Sequence, residues 1–265
     1  MGAVLDAQAE RELERLAELL GRCARALVLT GAGVSTESGL PDYRGAHGLW
    51  RNRRFEELAS IEAWRSEPEA FWSFYRERLA ALRGAEPNAG HLAIAELERR
   101  GLVDRVITQN VDGLHRRAGS VAPLEVHGTL AEVECLGCGW RGPSRLADEQ
   151  LAGGARTATC PSCGAVLKPA VVLFGELLPP AFEEASRLVL SCDLLLCCGS
   201  SLQVSPVSSL PAWARAAGAA LAIVNLGPTA HDDGADVRVE AAAGVALPRL
   251  LELVPPAGRR RTGRP

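Results

Sequence analysis

Four of the eight cysteines lie in two C-x-x-C pairs, Cys135/Cys138 and Cys160/Cys163, with residues 139–159 between them. Glycine or proline stands beside each pair, so each pair sits on a tight turn that directs two sulfurs toward one point. Four thiolates at ~2.3 Å suit tetrahedral zinc and leave no coordination position open. The spacing therefore predicts a structural zinc ion. A redox-active pair or four unrelated thiols are the alternatives.

The other four cysteines have no such spacing. They lie in or beside apolar runs, and we interpret them as small buried hydrophobic residues: Cys23, Cys192, Cys197 and Cys198.

Glycines and amides follow several apolar, strand-like runs. The run Ala26–Thr30 ends in Gly31-Ala32-Gly33, but Thr36 stands where a dinucleotide fingerprint has its third glycine, so a purely structural turn is the alternative. Polar residues follow three further runs: Thr108-Gln109-Asn110-Val111-Asp112, Gly199-Ser200-Ser201 and Asn225-Leu226-Gly227. Carboxyl ends of parallel strands meet at one edge, where ligands bind. These residues predict a phosphate-containing ligand, with Arg44 as a partner for pyrophosphate.

One histidine stands at the same predicted edge. His127 ends the short apolar run Leu124–His127. With an unperturbed pKa of ~6.5 an imidazole can act as a base near neutral pH. A structural histidine is the alternative. We interpret His47, His91 and His231 as loop or helix-cap residues, and His115 as a residue that orients a loop.

Strands and helices alternate along the sequence, which predicts an α/β fold: a Rossmann-like parallel sheet with helices on both faces. The predicted helices are 10–22, 55–83, 89–100, Phe182–Leu190 and Pro211–Ala217. The predicted strands are Ala26–Thr30, Val103–Thr108, Leu124–His127, Leu194–Cys198, Ala220–Val224 and Asp236–Val239.

Two segments interrupt the predicted sheet and suggest a smaller zinc-binding domain built from two insertions. A helical insertion covers 46–87 and a zinc-ribbon insertion covers 131–167. Residues 1–45, 88–130 and 168–254 form the nucleotide-binding domain, and 255–265, rich in arginine, forms a flexible tail.

Composition excludes several classes of protein. With 47% hydrophobic and 23% charged residues over 265 positions, the chain is globular rather than disordered. A net charge of −3 argues against a nucleic-acid-binding module built on the cysteine pairs. No apolar run reaches 18 residues and no signal peptide is evident, so we expect a cytoplasmic protein without a membrane span.

Several motifs together resemble the sirtuin family over residues 10–254. Their order matches that family, whose members are NAD-dependent protein-lysine deacylases. The matching motifs are Gly31-Ala32-Gly33-Val34-Ser35, Gly39-Leu40-Pro41-Asp42-Tyr43-Arg44, Thr108–His115, His127-Gly128, the four paired cysteines, Lys168-Pro169 through Phe174-Gly175-Glu176, Gly199-Ser200-Ser201-Leu202 and Asn225.

The resemblance implies roles for particular residues. The acyl-lysine oxygen attacks the ribose as nicotinamide leaves, and His127 activates a ribose hydroxyl. Nicotinamide faces Ser35, Asn110 and Asp112, of which the last two join His127 as catalytic residues. The remaining residues implied to bind NAD are Gly31, Ala32, Gly33, Thr36, Pro41, Asp42, Tyr43, Arg44, Gln109, Gly199, Ser200, Ser201, Asn225, Leu226, Gly227 and Ala243.

Substrate binding follows from the same resemblance. An acyl-lysine peptide is expected to add as a β-strand between the two domains, beside Val172–Phe174 and Val204–Pro206. The residues implied to line the substrate site are Val172, Leu173, Phe174, Gly175, Tyr75 and Arg78.

Two residues on one face of a predicted helix bear on which acyl group is preferred. Tyr75 and Arg78 share this face at i, i+3, and members that remove succinyl or malonyl groups carry a similar Tyr-x-x-Arg. Phe55 stands where those members have a small alanine, so we expect deacetylation. Removal of acidic acyl groups, mono-ADP-ribosyl transfer and a solvated Arg78 without a role are the alternatives.

Overall fold

Strands and helices alternate along most of the chain. A computed structural model describes residues 5–45 and 48–255. The strands found there are β1 (Ala26–Thr30), β2 (Arg105–Thr108), β3 (Leu124–Glu125), β4 (Gly128–Glu134), β5 (Arg141–Pro143), β6 (Lys168–Val171), β7 (Leu194–Cys198), β8 (Ala220–Val224) and β9 (Val237–Val239). The helices are α1 (Ala7–Arg22), α2 (Arg53–Leu58), α3 (Ile61–Ser66), α4 (Pro68–Arg83), α5 (Ala89–Arg99), α6 (Leu114–Arg117), α7 (Arg145–Ala152), α8 (Pro180–Val189), α9 (Leu210–Ala216) and α10 (Ala243–Leu253).

Six strands form a parallel sheet in the order β3-β2-β1-β7-β8-β9. The chain leaves β1 toward β2 and β3, then returns to β7 on the other side of β1. The strand order therefore reverses between β1 and β7. This is the switch point at which open α/β sheets bind ligands.

Side chains of the central strands alternate between two apolar layers. In β1, Val28 packs with α1, α5 and α10, whereas Leu27 and Leu29 pack with α8 and α9 on the opposite face. All five residues of β1 are buried. The predicted Rossmann-like sheet, covered by helices on both faces, is confirmed.

Local signals fix where the flanking helices begin. The Asp6 carboxylate accepts hydrogen bonds from the N–H groups of Gln8 and Ala9 and caps α1. Asn88 and His91 form a capping box at the start of α5. A cap of this kind contributes about 1 kcal/mol, because it satisfies N–H groups that have no partner inside the helix.

The second sheet is smaller and antiparallel, in the order β5-β4-β6. It packs with α4 and α7 into a separate apolar cluster, in which Phe71 and Trp72 are fully buried. The predicted smaller zinc-binding module is thus present. The domain boundaries proposed from the sequence stay a prediction.

Some predicted elements differ from the structure. The predicted helix over 55–83 is three helices, because Ser60 caps a new helix through the Ala63 N–H and Pro68 begins another. Strand β3 ends at Glu125, before His127. The sequence pattern predicts no element at α6, α7, α10, β4, β5 or β6. His47 and nearly all of the predicted tail lie outside the described residues. None of the helices in the described part combines the length and apolar character needed to span a bilayer.

Candidate active site

The four paired cysteines come together beside the three-stranded sheet. Their sulfur atoms all lie within 4.8 Å of one another, with 3.5 Å between Cys135 and Cys163 and 3.7 Å between Cys138 and Cys160. A disulfide needs about 2.05 Å. Ligands at ~2.3 Å around a tetrahedral ion stand about 3.8 Å apart. The cluster therefore fits a structural zinc ion with four thiolate ligands.

Two glycine-containing strand ends pack against each other at the switch point. The Gly31 N–H donates to Cys198 O at 3.0 Å, and the Gly33 N–H donates to Gly199 O at 2.8 Å. A Cβ on Gly33 would lie 2.8 Å from Gly199 O, and one on Gly199, whose φ is +58°, would lie 2.3 Å from Val34 N. Both positions therefore require glycine for packing, and the N–H groups of Gly31 and Gly33 are already engaged inside the protein.

Three polar side chains implied to face nicotinamide form one hydrogen-bonded cluster. Asn110 Nδ2 donates to Ser35 Oγ and to Gly31 O, both at 3.1 Å. The Ser35 hydroxyl donates to Asp112 Oδ2 at 2.7 Å. Ser35 and Asn110 are 2% and 6% exposed. Their dipoles are therefore oriented before a ligand arrives, which is the arrangement that stabilises developing charge best.

His91 supports this cluster from α5, a contact that the interpretation as a helix cap did not include. The Asn88 N–H donates to His91 Nδ1 at 3.4 Å. A ring nitrogen that accepts carries no proton, so the proton of the neutral ring is on Nε2, which donates to Ser35 Oγ at 3.3 Å. Burial lowers the pKa of His91 and keeps the ring neutral. The Asn-x-x-His spacing indicates the cap, but nothing local indicates a partner 56 residues away.

His127 lies in the turn that joins the two sheets. Its Nδ1 is 3.1 Å from Gln109 O. A carbonyl only accepts, so Nδ1 carries the proton and Nε2 is left as an acceptor. Burial lowers the pKa of His127, so the ring is neutral at pH 7. The His127 carbonyl also accepts from the Val172 N–H at 2.9 Å, which ties the turn to the predicted peptide-binding segment.

Two adjoining cavities, of about 1110 Å³ and 170 Å³, are lined by every residue that the sequence predicted for cofactor or substrate. Ser35 and Asp112 line the smaller cavity, which shares Ala32 and Asn110 with the larger. The other predicted residues on the larger cavity are Gly31, Gly33, Thr36, Pro41, Asp42, Tyr43, Arg44, Tyr75, Arg78, Gln109, His127, Val172, Leu173, Phe174, Gly175, Gly199, Ser200, Ser201, Asn225, Leu226, Gly227 and Ala243. The larger volume suits an elongated dinucleotide together with part of a second substrate.

A family model decides what this arrangement is related to. The model described as the Sir2 family matches residues 31–206, which contain the glycine turn, His127 and all four paired cysteines. This chain belongs to the Sir2 family.

Individual Sir2 relatives are similar over nearly the whole chain. The NAD-dependent protein deacylase 2 of Archaeoglobus fulgidus is 45% identical over 92% of this chain and 97% of its own. The NAD-dependent protein deacetylase 2 of Streptomyces coelicolor is 46% identical over 84% and 95%. A solved structure described as Sir2-p53 peptide-NAD+ has a TM-score of 0.84 and 35% identity, covering 91% of this chain and 97% of that one.

The predicted peptide-binding segment of this Sir2 chain is already paired on one side. The Phe174 N–H donates to Ala59 O at 2.9 Å, and Phe174 O accepts from the Ile61 N–H at 3.0 Å. Both main-chain groups of Phe174 therefore bind the α2–α3 junction. The neighbouring Gly175, with φ +91°, also lines the larger cavity.

A buried lysine fixes the turn that carries Phe174 and Gly175. Lys168, 1% exposed, donates to Glu134 at 2.7 Å, pairs with Glu176 at 3.2 Å and donates to Val171 O at 3.0 Å. Glu176 Oε2 accepts from the Leu173 N–H at 2.9 Å. Lys168 was recognised only as part of a Sir2-like motif, and its carboxylate partners were not predicted. Lys168 joins β4 to the turn 173–176, the predicted substrate turn.

Arg78 is not the solvated helix residue of the alternative interpretation. It donates to Tyr43 Oη at 2.6 Å, and its guanidinium lies 5.1 Å from the centre of the Tyr43 ring and 5.6 Å from that of Phe74. Within the described residues it forms no ion pair with a carboxylate. The Phe55 ring packs on Phe74 with 5.4 Å between centroids and fills space beside Arg78.

Proposed function

We propose that this member of the Sir2 family is an NAD-dependent protein-lysine deacylase, and specifically a deacetylase, that transfers the acyl group to ADP-ribose and releases nicotinamide. The observation that carries the proposal is the tautomer of His127. Its proton is held on Nδ1 by Gln109 O, so an unprotonated Nε2 stands on the wall of the cavity. The names of the relatives, NAD-dependent protein deacylases and deacetylases, support the same activity.

NAD would lie across the switch point with its nicotinamide against Ser35, Asn110 and Asp112. Cleavage of the glycosidic bond builds positive charge on the ribose. The Asp112 carboxylate and the fixed dipoles of Ser35 and Asn110 lie in the adjoining small cavity, where little water would screen them. The pyrophosphate would meet the turn after β1, with Arg44 on the same cavity wall.

His127 would act as a general base. The acyl oxygen of the modified lysine attacks the ribose carbon as nicotinamide leaves. His127 Nε2 accepts the proton of a ribose hydroxyl, which then attacks the acyl carbon. Addition of water releases the free lysine, and the acyl group stays on ADP-ribose. The lowered pKa of His127 keeps the base in its neutral form at pH 7.

The peptide would bind as a strand between the substrate turn and the segment Val204–Pro206. Both segments line the larger cavity. Since Phe174 already pairs with residues 59 and 61, and the Val172 N–H with His127 O, the peptide would use the carbonyl of Val172 and the main chain of Gly175. Main-chain pairing reads little sequence, so we expect tolerance of many peptide sequences. The four-thiolate zinc would keep this side of the site folded.

A small acyl group fits the surroundings of Arg78. Tyr43 accepts one hydrogen bond from its guanidinium, and Phe55 fills the neighbouring space. The other N–H donors of Arg78 have no carboxylate partner among the described residues, so the carboxylate of an acidic acyl chain could pair with them, and this alternative has to be tested.

The test is a panel of acetyl-, succinyl- and longer-acyl-lysine peptides with NAD, in which kcat/KM is measured and products are identified by mass spectrometry. We expect acetyl-peptide to be preferred and O-acetyl-ADP-ribose to form. Arg78→Met should leave that preference unchanged, as should the control Arg76→Met on the exposed side of α4. A succinyl preference that Arg78→Met abolishes would establish the acidic-acyl alternative. Label from NAD on protein would establish ADP-ribosyl transfer.

A further inference from the structure

The loop after β8 forms one end of the larger cavity. Asn225, Leu226 and Gly227 line it. His127 follows β3, and Asn225 follows β8, so four strand spacings, roughly 19 Å, separate these two sheet positions. A ligand whose reacting ribose lies at His127 therefore extends its other end toward the loop 225–227. For NAD this other end is the adenosine half.

The Arg238 side chain holds the backbone of this loop from the neighbouring strand. Arg238 lies in the middle of β9, between the buried residues Val237 and Val239. Its Nη1 donates to Asn225 O at 3.0 Å and to Val239 O at 2.7 Å, and its Nη2 donates to Gly227 O at 2.6 Å. The guanidinium thus joins both ends of the segment 225–227 to the last strand of the sheet.

An acidic residue of the same loop completes the network. Asp232 Oδ1 accepts from Arg238 Nε at 3.1 Å and from the Thr229 hydroxyl at 2.6 Å. Asp232 Oδ2 accepts from the Thr229 N–H at 3.0 Å. The Ala230 N–H donates to Ser201 O at 3.1 Å and links the loop to the segment after β7. The loop 225–232 is therefore fixed relative to two strand ends of the cavity.

We propose that Arg238 is a positioning residue for the adenosine half of NAD. It does not line the cavity but acts through the Asn225–Gly227 backbone, whose carbonyls it orients. The proposal rests on the proposed function only in taking NAD as the occupant of the cavity. A planar guanidinium can serve four acceptors in fixed directions, which an ammonium group cannot. Without Arg238 the segment 225–227 keeps the main-chain hydrogen bond from the Asn225 N–H to β9 and local ones, such as those from Asn225 Nδ2 to Leu226 O and Gly227 O. The ligand must then supply more of the ordering, and that cost weakens binding.

The test compares Arg238→Met with the matched control Arg215→Met. Arg215 also pairs with an aspartate, Asp236, at 2.8 Å, but this pair lies at the amino ends of β8 and β9, and among the described residues Arg215 donates no hydrogen bond to the segment 225–227. We expect Arg238→Met to raise KM for NAD and Kd for ADP-ribose about tenfold. The kcat, the KM for acetyl-peptide and the inhibition by nicotinamide should stay within about twofold, and Arg238→Lys should be intermediate. Arg215→Met should change none of these values.

Two results would overturn the proposal. One is an unchanged Kd for ADP-ribose in folded Arg238→Met. The other is a parallel loss of kcat, peptide affinity and NAD affinity, which indicates a general structural role. If Arg238→Met does not fold, Asp232→Asn is the deciding variant. It removes the negative charge that pairs with the guanidinium and should weaken ADP-ribose binding two- to fivefold. Binding of ADP-ribose is measured without turnover, so a failure of the deacylase assignment would be seen separately in the wild-type assay.

Discussion

The two sheets of this molecule are stabilised in different ways. Every residue of β1 and β7 is buried, and alternate side chains enter apolar layers on both faces. The small sheet has a strand, β5, whose burial is at most partial, and the four cysteines lie in two turns beside the sheet. The large sheet is therefore maintained by apolar burial, whereas the small sheet needs metal ligation in addition to the aromatic residues of α4.

The two substrates of the proposed reaction, NAD and the acyl-lysine peptide, would be bound by residues held by different sheets. Ser35 and Asn110, implied to face nicotinamide, follow strands of the large sheet. The substrate turn is held by Lys168, whose partner Glu134 ends β4 of the small sheet and precedes Cys135. NAD binding should thus depend on the large sheet and peptide binding on the small one.

Removal of the metal should have the largest effect. Structural zinc contributes ~10–16 kcal/mol in apparent terms, which is comparable to the whole stability of a typical domain, ~5–15 kcal/mol. Cys160→Ser, or chelation, should unfold the small sheet and abolish peptide deacylation. Trp72 is buried in that module, so its contribution to the near-ultraviolet circular dichroism spectrum should be lost. Calorimetry should show that ADP-ribose binding by the large sheet is largely retained.

The matched control is Cys192→Ser. Cys192 is also buried, but it packs against the large sheet and away from the cluster. This variant should keep both activity and zinc content. If Cys160→Ser keeps the tryptophan signal and the peptide affinity, then the small sheet is as independent of metal as the large one, and the comparison is wrong.

Loss of the proposed base should have the next largest effect, on rate rather than on folding. His127→Ala should lower kcat/KM about 10²- to 10⁴-fold. Its hydrogen bond to Gln109 O contributes only about 1 kcal/mol to stability, so Tm should change little. In the wild type, kcat/KM should fall at acid pH with a midpoint below 6.5, because burial lowers the pKa of His127 and only the neutral ring is a base.

The control is Phe55→Ala, which enlarges the space beside Phe74. This variant changes the site but keeps His127. It should keep the pH profile. Turnover of His127→Ala at the wild-type rate would show that His127 is not the base. That result would leave the difference in stabilisation between the two sheets unaffected.

The sequence predicts best what is local. The four central strands β1, β2, β7 and β8 are short apolar runs that end in polar turns. The cysteine pairs carry their own spacing. Each of these signals fits within a window of a few residues, so the sheet and the metal cluster were both predicted.

What the sequence did not predict depends on distant partners. Lys168 contacts Glu134 across 34 residues, and Arg238 contacts Asn225 across 13. The sequence window containing either residue gives no sign of its partner. The break in the predicted helix over 55–83 is different, because Ser60 and Glu67-Pro68 are local signals that the aromatic periodicity obscured.

The smallest predicted effect is the pH dependence of stability in the large sheet. His115 is 2% exposed and contacts Thr30 Oγ1 at 2.9 Å. Burial, reinforced by nearby His91, lowers the pKa of His115 to about 3. The unfolded state, with a pKa of ~6.5, binds a proton that the folded state rejects, so stability is full above pH 6.5 and falls as pH drops toward 3. The slope from His115 is about 1.4 kcal/mol per pH unit.

Urea denaturation at pH 7.0, 6.0 and 5.0 measures this slope above the range in which most carboxylates titrate. His115→Gln should reduce the slope by about 1.4 kcal/mol per unit between pH 6 and 5. Thr30→Val, which removes the hydroxyl partner but no titrating group, should lower stability by a similar amount at every pH and keep the slope. If His115→Gln and wild type share one slope, acid sensitivity does not originate at His115. The other histidines whose pKa is lowered by burial, His91 and His127, would then be the groups to test.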